Sequence, residues 1–146
     1  MSKNSAKVVG LVLLIAVLLV AIGYAAITTV QLRINGNANA TANQDNFTVR
    51  FSGTPTVSDA DKVDATLNPD DQLKATMNVS KLSAKGDTAT ATYTIENTSA
   101  DLSAVLSATT TNSNTEYFKV TQNIAKATIG HGETTTITVT VELIKT

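Results

Sequence analysis

Residues 87–97 read DTATATYTIEN, and the alternation within them decides the fold class. Ala89, Ala91, Tyr93 and Ile95 fall on one parity, and Thr88, Thr90, Thr92 and Thr94 on the other. A period of two lines one face of an extended strand, whereas a helix would scatter the same residues around its circumference. Threonine suits the outer parity: its β-branch favours the pleated backbone and its hydroxyl keeps the face wet.

The same pattern recurs along the chain. TTVQLRIN (28–35) groups Val30, Leu32 and Ile34, and NFTVRFSG (46–53) groups Phe47, Val49 and Phe51. LKATMNVS (73–80) places Leu73, Ala75, Met77 and Val79 on one side, and LSAVLSATTT (102–111) does so with Leu102, Ala104, Leu106 and Ala108. EYFKVTQN (116–123) offers Phe118 and Val120, and ETTTITVTVEL (133–143) offers Ile137, Val139, Val141 and Leu143. Turn-forming residues separate these runs at 35–36, 52–55, 68–71, 85–87, 96–99 and 130–132. Short alternating strands at this spacing predict an all-β domain over 28–146, an antiparallel β-sandwich of immunoglobulin-like or jelly-roll type with seven to eight strands. GNANATANQDN (36–46) has no period and reads as a linker after the first strand. The Asp-rich stretch 54–72 reads as a long loop, in which Ser58–Thr66 forms at most one helical turn.

The beginning of the chain is different in kind. Lys3 and Lys7 precede a run, Val8 to Ile27, that holds no charge. Twenty residues at ~1.5 Å each span roughly 30 Å, the thickness of a bilayer's hydrocarbon core. Residues 1–27 are therefore expected to be a signal peptide or membrane-spanning helix, with the basic start inside and the sandwich outside. Gly23 and Ala25 satisfy the small-residue rule for signal peptidase, which puts a cut between Ala25 and Ala26. A retained anchor would instead use Tyr24 as an interfacial aromatic.

Composition excludes several functions. Beyond Ala26 the chain has nine Lys/Arg against twelve Asp/Glu, a net charge of −3, and no basic run interleaved with aromatics. That argues against nucleic-acid binding. With no cysteine there are no disulfides, thiolate metal sites or thiol nucleophiles. His131, the single histidine, lies in GHGET, without the second histidine a zinc-protease helix needs. Neither a G-x-S-x-G elbow nor a phosphate-cradling glycine loop occurs, so no catalytic residue is assigned and the expectation is a non-enzyme without cofactor. Asp59, Asp61 and Asp64, followed by Asp70 and Asp71, are a weak calcium candidate: the oxygen ligands are right, but the spacing lacks the central Gly and terminal Glu of an EF-hand loop. Four N-x-S/T sequons begin at Asn39, Asn46, Asn78 and Asn97. The lysines fall on polar parities, which disfavours a buried Lys–Asn isopeptide crosslink.

The first strand remains. TTVQLRIN stands alone between the apolar run and the loose 36–46 segment. It either folds back as an edge strand of its own sandwich or docks into a neighbouring copy, with Val30, Leu32 and Ile34 filling the neighbour's groove. Repeated head to tail, the second arrangement builds a homopolymeric filament.

This layout resembles the camelysin/TasA family of secreted biofilm-fibre subunits. The likeness rests on the lysine-bearing start, the apolar run ending IGYAA, the cysteine-free Thr/Asn-rich sandwich and TYTIENTSADLSAVLSAT (92–109). The resemblance implies assembly into fibres by strand donation, with 28–35 in the donating position. No catalytic motif is carried over from it. Two other readings compete. One is a type IV pilin-like subunit whose retained N-terminal helix forms the filament core; the other is a monomeric, membrane-tethered surface domain with an adhesive role.

Overall fold

The computed structural model describes residues 28–38 and 48–146. The helix expected over 1–27, its cut between Ala25 and Ala26, most of the 36–46 linker and Phe47 lie outside the described residues. The described chain is all-β. Nine strands run in order: β1 (Thr28–Ala38), β2 (Val49–Val57), β3 (Val63–Leu67), β4 (Lys74–Val79), β5 (Thr88–Asn97), β6 (Ala104–Asn112), β7 (Phe118–Ile124), β8 (Thr128–Ile129) and β9 (Thr134–Leu143). They form two antiparallel sheets, one in the order β3-β4-β1-β6-β8 and one in the order β2-β5-β9-β7.

The inner parities of both sheets meet in one core. Val30, Leu32 and Ile34 of β1 lie there with Met77, Val79, Leu106 and Ile129 of the first sheet. Phe51, Tyr93, Ile95, Phe118, Ile137, Val139 and Val141 come from the second. Tyr93 ties the layers together: its hydroxyl donates to the Thr76 carbonyl of β4 at 3.1 Å, and its ring packs 5.7 Å from that of Phe51. Burial pushes the Tyr93 phenol pKa up, with the charge of Asp64 adding to the shift. The phenol therefore stays neutral and keeps its donor. On the outer face of the second sheet, threonines stand directly opposite one another as Thr90–Thr140, Thr92–Thr138 and Thr94–Thr136. The middle pair shares a hydrogen bond of 3.1 Å.

Four expectations need correction. β1 is not an edge strand; it runs between β4 and β6, in the middle of its sheet. It also does not turn at Asn35-Gly36, because Asn35–Ala38 continue the ladder against Ser107–Ala104. Asn-Gly makes a hairpin only when the runs on either side can pair with each other, and the partners of β1 come much later in the chain. Ser52–Pro55 likewise is no turn. β2 passes through it with a register shift between Ser52 and Thr56, and Gly53 takes the positive φ of 68° there. This is a bulge on an edge strand, where Pro55 costs no central ladder bond. Finally, the Asp-rich stretch holds a strand. Val63 is buried and Ala65 and Leu67 pack on the core, while Asp64 and Thr66 face out.

Candidate functional site

β1 fills the cleft between β4 and β6. Thr28–Arg33 pair with Val79–Lys74 on one side, and Val30–Ala38 with Asn112–Ala104 on the other. Even-numbered residues of β1 hydrogen-bond toward β4, as the Ile34 amide to the Leu73 carbonyl at 3.1 Å shows, so odd-numbered residues serve β6. Val30, Leu32 and Ile34 are all 2% exposed or less. Burying three such side chains contributes about 5–9 kcal/mol in gross transfer terms. Without β1 the cleft would be walled by Ala75, Met77 and Val79 of β4 and Ala104 and Leu106 of β6. Both walls would also present unpaired backbone.

The outer face over β1 is polar. Gln31 and Arg33 of β1, Lys74 and Thr76 of β4, and Thr109 and Thr111 of β6 line a shallow groove of about 340 Å³. Arg33 stands directly opposite Lys74, an unfavourable pair of like charges. Asp71 offsets it. Its carboxylate lies 3.0 Å from Lys74 Nζ and accepts the Leu73 amide at 3.1 Å. The Lys74 hydrogen bond, then the Leu73 amide, and more weakly the Arg33 charge hold the Asp71 carboxyl below the usual carboxylate range.

A buried polar knot anchors the far end of the segment that leads from β1. Asn97 is 0% exposed. Its Nδ2 donates to the carbonyls of Leu102 (2.7 Å), Gly130 (3.1 Å) and Ile129 (3.2 Å), and its Oδ1 accepts the Ser99 amide at 3.1 Å. Ser99 in turn accepts the Thr48 amide on its hydroxyl at 2.9 Å, and the Thr98 amide donates to the Thr48 carbonyl at 2.9 Å. His131 Nδ1 donates to the Ser99 carbonyl. The knot thus joins the start of β2, the β5–β6 connection and the β8–β9 turn. Sequence reasoning treated Glu96-Asn97-Thr98-Ser99 as a turn and a sequon; the signal it missed was an Asn whose parity points inward, among Tyr93 and Ile95. Buried in this way, Asn97 is closed to glycosylation in the folded domain, whereas Asn78 lies on the exposed side of β4.

The aspartates do not assemble. Asp59 Oδ1 caps the Asp61 amide at 2.9 Å and its Oδ2 lies 3.6 Å from Lys62 Nζ. Asp61 is exposed, and Asp64 stands on β3 opposite Asn78. Among the described residues no three His, Cys, Asp or Glu side chains gather to hold a metal ion. In this structure Asp59 caps a turn and pairs with Lys62, while Asp61 and Asp64 face solvent. Val30, Leu32 and Ile34, the residues expected to fill a neighbour's groove if the strand is donated, are brought together here in the chain's own cleft. No family model, curated protein or solved structure matches this chain.

Proposed function

We propose that the chain is a structural subunit of an extracellular filament, on the cell surface or in a biofilm matrix, joined copy to copy by donation of β1. In this reading residues 1–27 carry the domain to the outside, N-in and C-out. The domain itself is a sandwich of the immunoglobulin-like or jelly-roll kind, and its work is mechanical. The resemblance to camelysin/TasA fibre subunits points the same way.

One observation carries the proposal: the first described strand is the central strand of its sheet. It joins the rest of the domain only through residues 39–48, ten residues that can reach roughly 33–36 Å when extended. A strand so placed can leave its own cleft and enter that of the next copy with every ladder bond and core contact reproduced. Exchange then costs no pairing, and the head-to-tail arrangement stays open and propagates. Thr48, held by Ser99 and Thr98, remains the fixed point from which the connecting segment departs.

A disulfide lock tests this. Gln31 and Thr76 are opposite one another in a non-hydrogen-bonded pair on the exposed face, where Cα atoms lie ~4.5 Å apart. Cysteines at both positions, oxidised in the monomer, will tie β1 at home. Negative-stain microscopy should show filaments from the reduced double variant and none from the oxidised one. Equal filaments from both would sink strand donation. They would favour the pilin-like arrangement instead, in which the retained helix holds the copies together.

A further inference from the structure

We propose that β7 is a second, lateral contact, at which two copies of this chain pair edge to edge across a two-fold axis at Gln122. This goes beyond strand donation: β1 joins copies along a filament, and β7 joins copies side by side.

The starting point is how the sheet edges end. On one flank both edges are protected. β2 carries the bulge at Gly53 and Pro55, and its Phe51 amide donates across to the Gln72 carbonyl at 2.8 Å. β3 beside it is five residues long, with Asp64 facing out and Lys62 just before it. These are the usual devices against edge-to-edge pairing. On the other flank, β8 covers only Ala104 and Val105 of β6, and β7 forms the end of the second sheet. β7 has no bulge in its register and no proline, and Val120–Ala125 carry no charge.

The free backbone of β7 can be assigned. The Ile144 amide donates to the Tyr117 carbonyl, and the Ala125 amide to the Thr136 carbonyl. Odd-numbered residues of β7 therefore point their amides and carbonyls toward β9, and even-numbered ones point them away. Phe118 is satisfied on that outer side by Asn114 and the Asn112 side chain. Among the described residues, Val120, Gln122 and Ile124 present a clean row, touched only where the Gln122 side chain reaches the Ala108 carbonyl at 2.6 Å.

This row complements itself. With a two-fold axis at Gln122, antiparallel pairing sets Val120 opposite Ile124 of the other copy, both on the half-buried inner face. Thr121 then meets Asn123 on the polar outer face. Up to about six ladder hydrogen bonds form, and the two second sheets become one. So short a ladder is weak for a single pair of copies, and it gains strength by repetition along filaments lying side by side.

The test exploits the absence of native cysteine. Gln122→Cys in the full-length chain puts two thiols at the axis, with Cα atoms ~5.5 Å apart, inside the range a disulfide spans. Thr56→Cys, on the protected β2 edge, is the control. Under mild oxidation Gln122→Cys should form a covalent dimer at least tenfold faster than Thr56→Cys, both folded by circular dichroism. In the unmodified chain the amides of Val120, Gln122 and Ile124 should exchange more slowly as concentration rises. Equal crosslinking rates, or exchange independent of concentration, would overturn the proposal. Neither readout involves β1, so failure here leaves strand donation standing, and the reverse holds too.

Discussion

Asn97→Ala offers the sharpest test of how the domain is held together. The substitution deletes one side chain whose two amide N–H groups are shared among the carbonyls of Leu102, Ile129 and Gly130 and whose oxygen accepts the Ser99 amide. The partners cannot follow, because each belongs to backbone fixed by neighbouring strands. A buried polar group left unsatisfied costs about 1–3 kcal/mol. Two of the three carbonyl contacts and the Ser99 amide are buried, while Gly130 is partly open and can recruit water. The expected loss is therefore about 3–5 kcal/mol in total. A domain of this size has roughly 6–18 kcal/mol to lose. Urea unfolding followed by far-UV circular dichroism measures it directly: the midpoint should fall sharply with the slope unchanged, since the exposed area on unfolding hardly alters. Asn97→Asp should be no rescue, because a carboxylate placed against three carbonyls can donate nothing to them. A loss of less than ~1 kcal/mol for Asn97→Ala would refute the claim that this knot pins three connections.

Other outcomes follow from the same contacts. Leu32→Ala, in the middle of β1, should cost about 2–5 kcal/mol in the same unfolding assay and leave a cavity between the sheets. Gly53→Ala should cost about 1 kcal/mol through backbone strain alone, since a Cβ there meets no atom and φ is positive. Asp71→Asn should destabilise the protein near neutral pH. Because the folded carboxyl pKa is lowered, its contribution is present above the ordinary aspartate value and fades as pH falls through the folded one. The stability gap between parent and variant should thus close on acidification below about pH 4, as pH-dependent denaturation curves will show.

Much of the architecture was legible because alternation is a direct imprint of burial. The inner parity of 89–97 and 135–143 is the buried parity residue for residue, and the same holds for Val30, Leu32 and Ile34. What local pattern could not convey was partnership. Nothing within 28–35 tells that it pairs with Met77 on one side and Thr109 to Asn112 on the other, so its central place went unread. β3 was hidden for a different reason: five residues with three alternating apolar positions, one of them only an alanine, amid aspartates, carry too little signal to outweigh turn propensity. The bulge at Ser52–Pro55 shows the converse error, in which Gly and Pro suggest a stop but only bend an edge. Asn97 escaped notice because a sequon draws attention to an exposed side chain, and this one is enclosed.

The place of β1 also dictates an order of events as the chain is made. Val30 pairs with Asn112, 82 positions later. The strand that completes the first sheet emerges ahead of both its neighbours and must wait, with Val30, Leu32 and Ile34 uncovered, until most of the polypeptide has followed. Contacts closed over such separations form slowly. If β1 is donated between copies as proposed, any finished cleft within reach during that interval is as good a destination as the one still being synthesised, and the timing of biogenesis, not only the final energies, would then select between a closed single molecule and a chain of them.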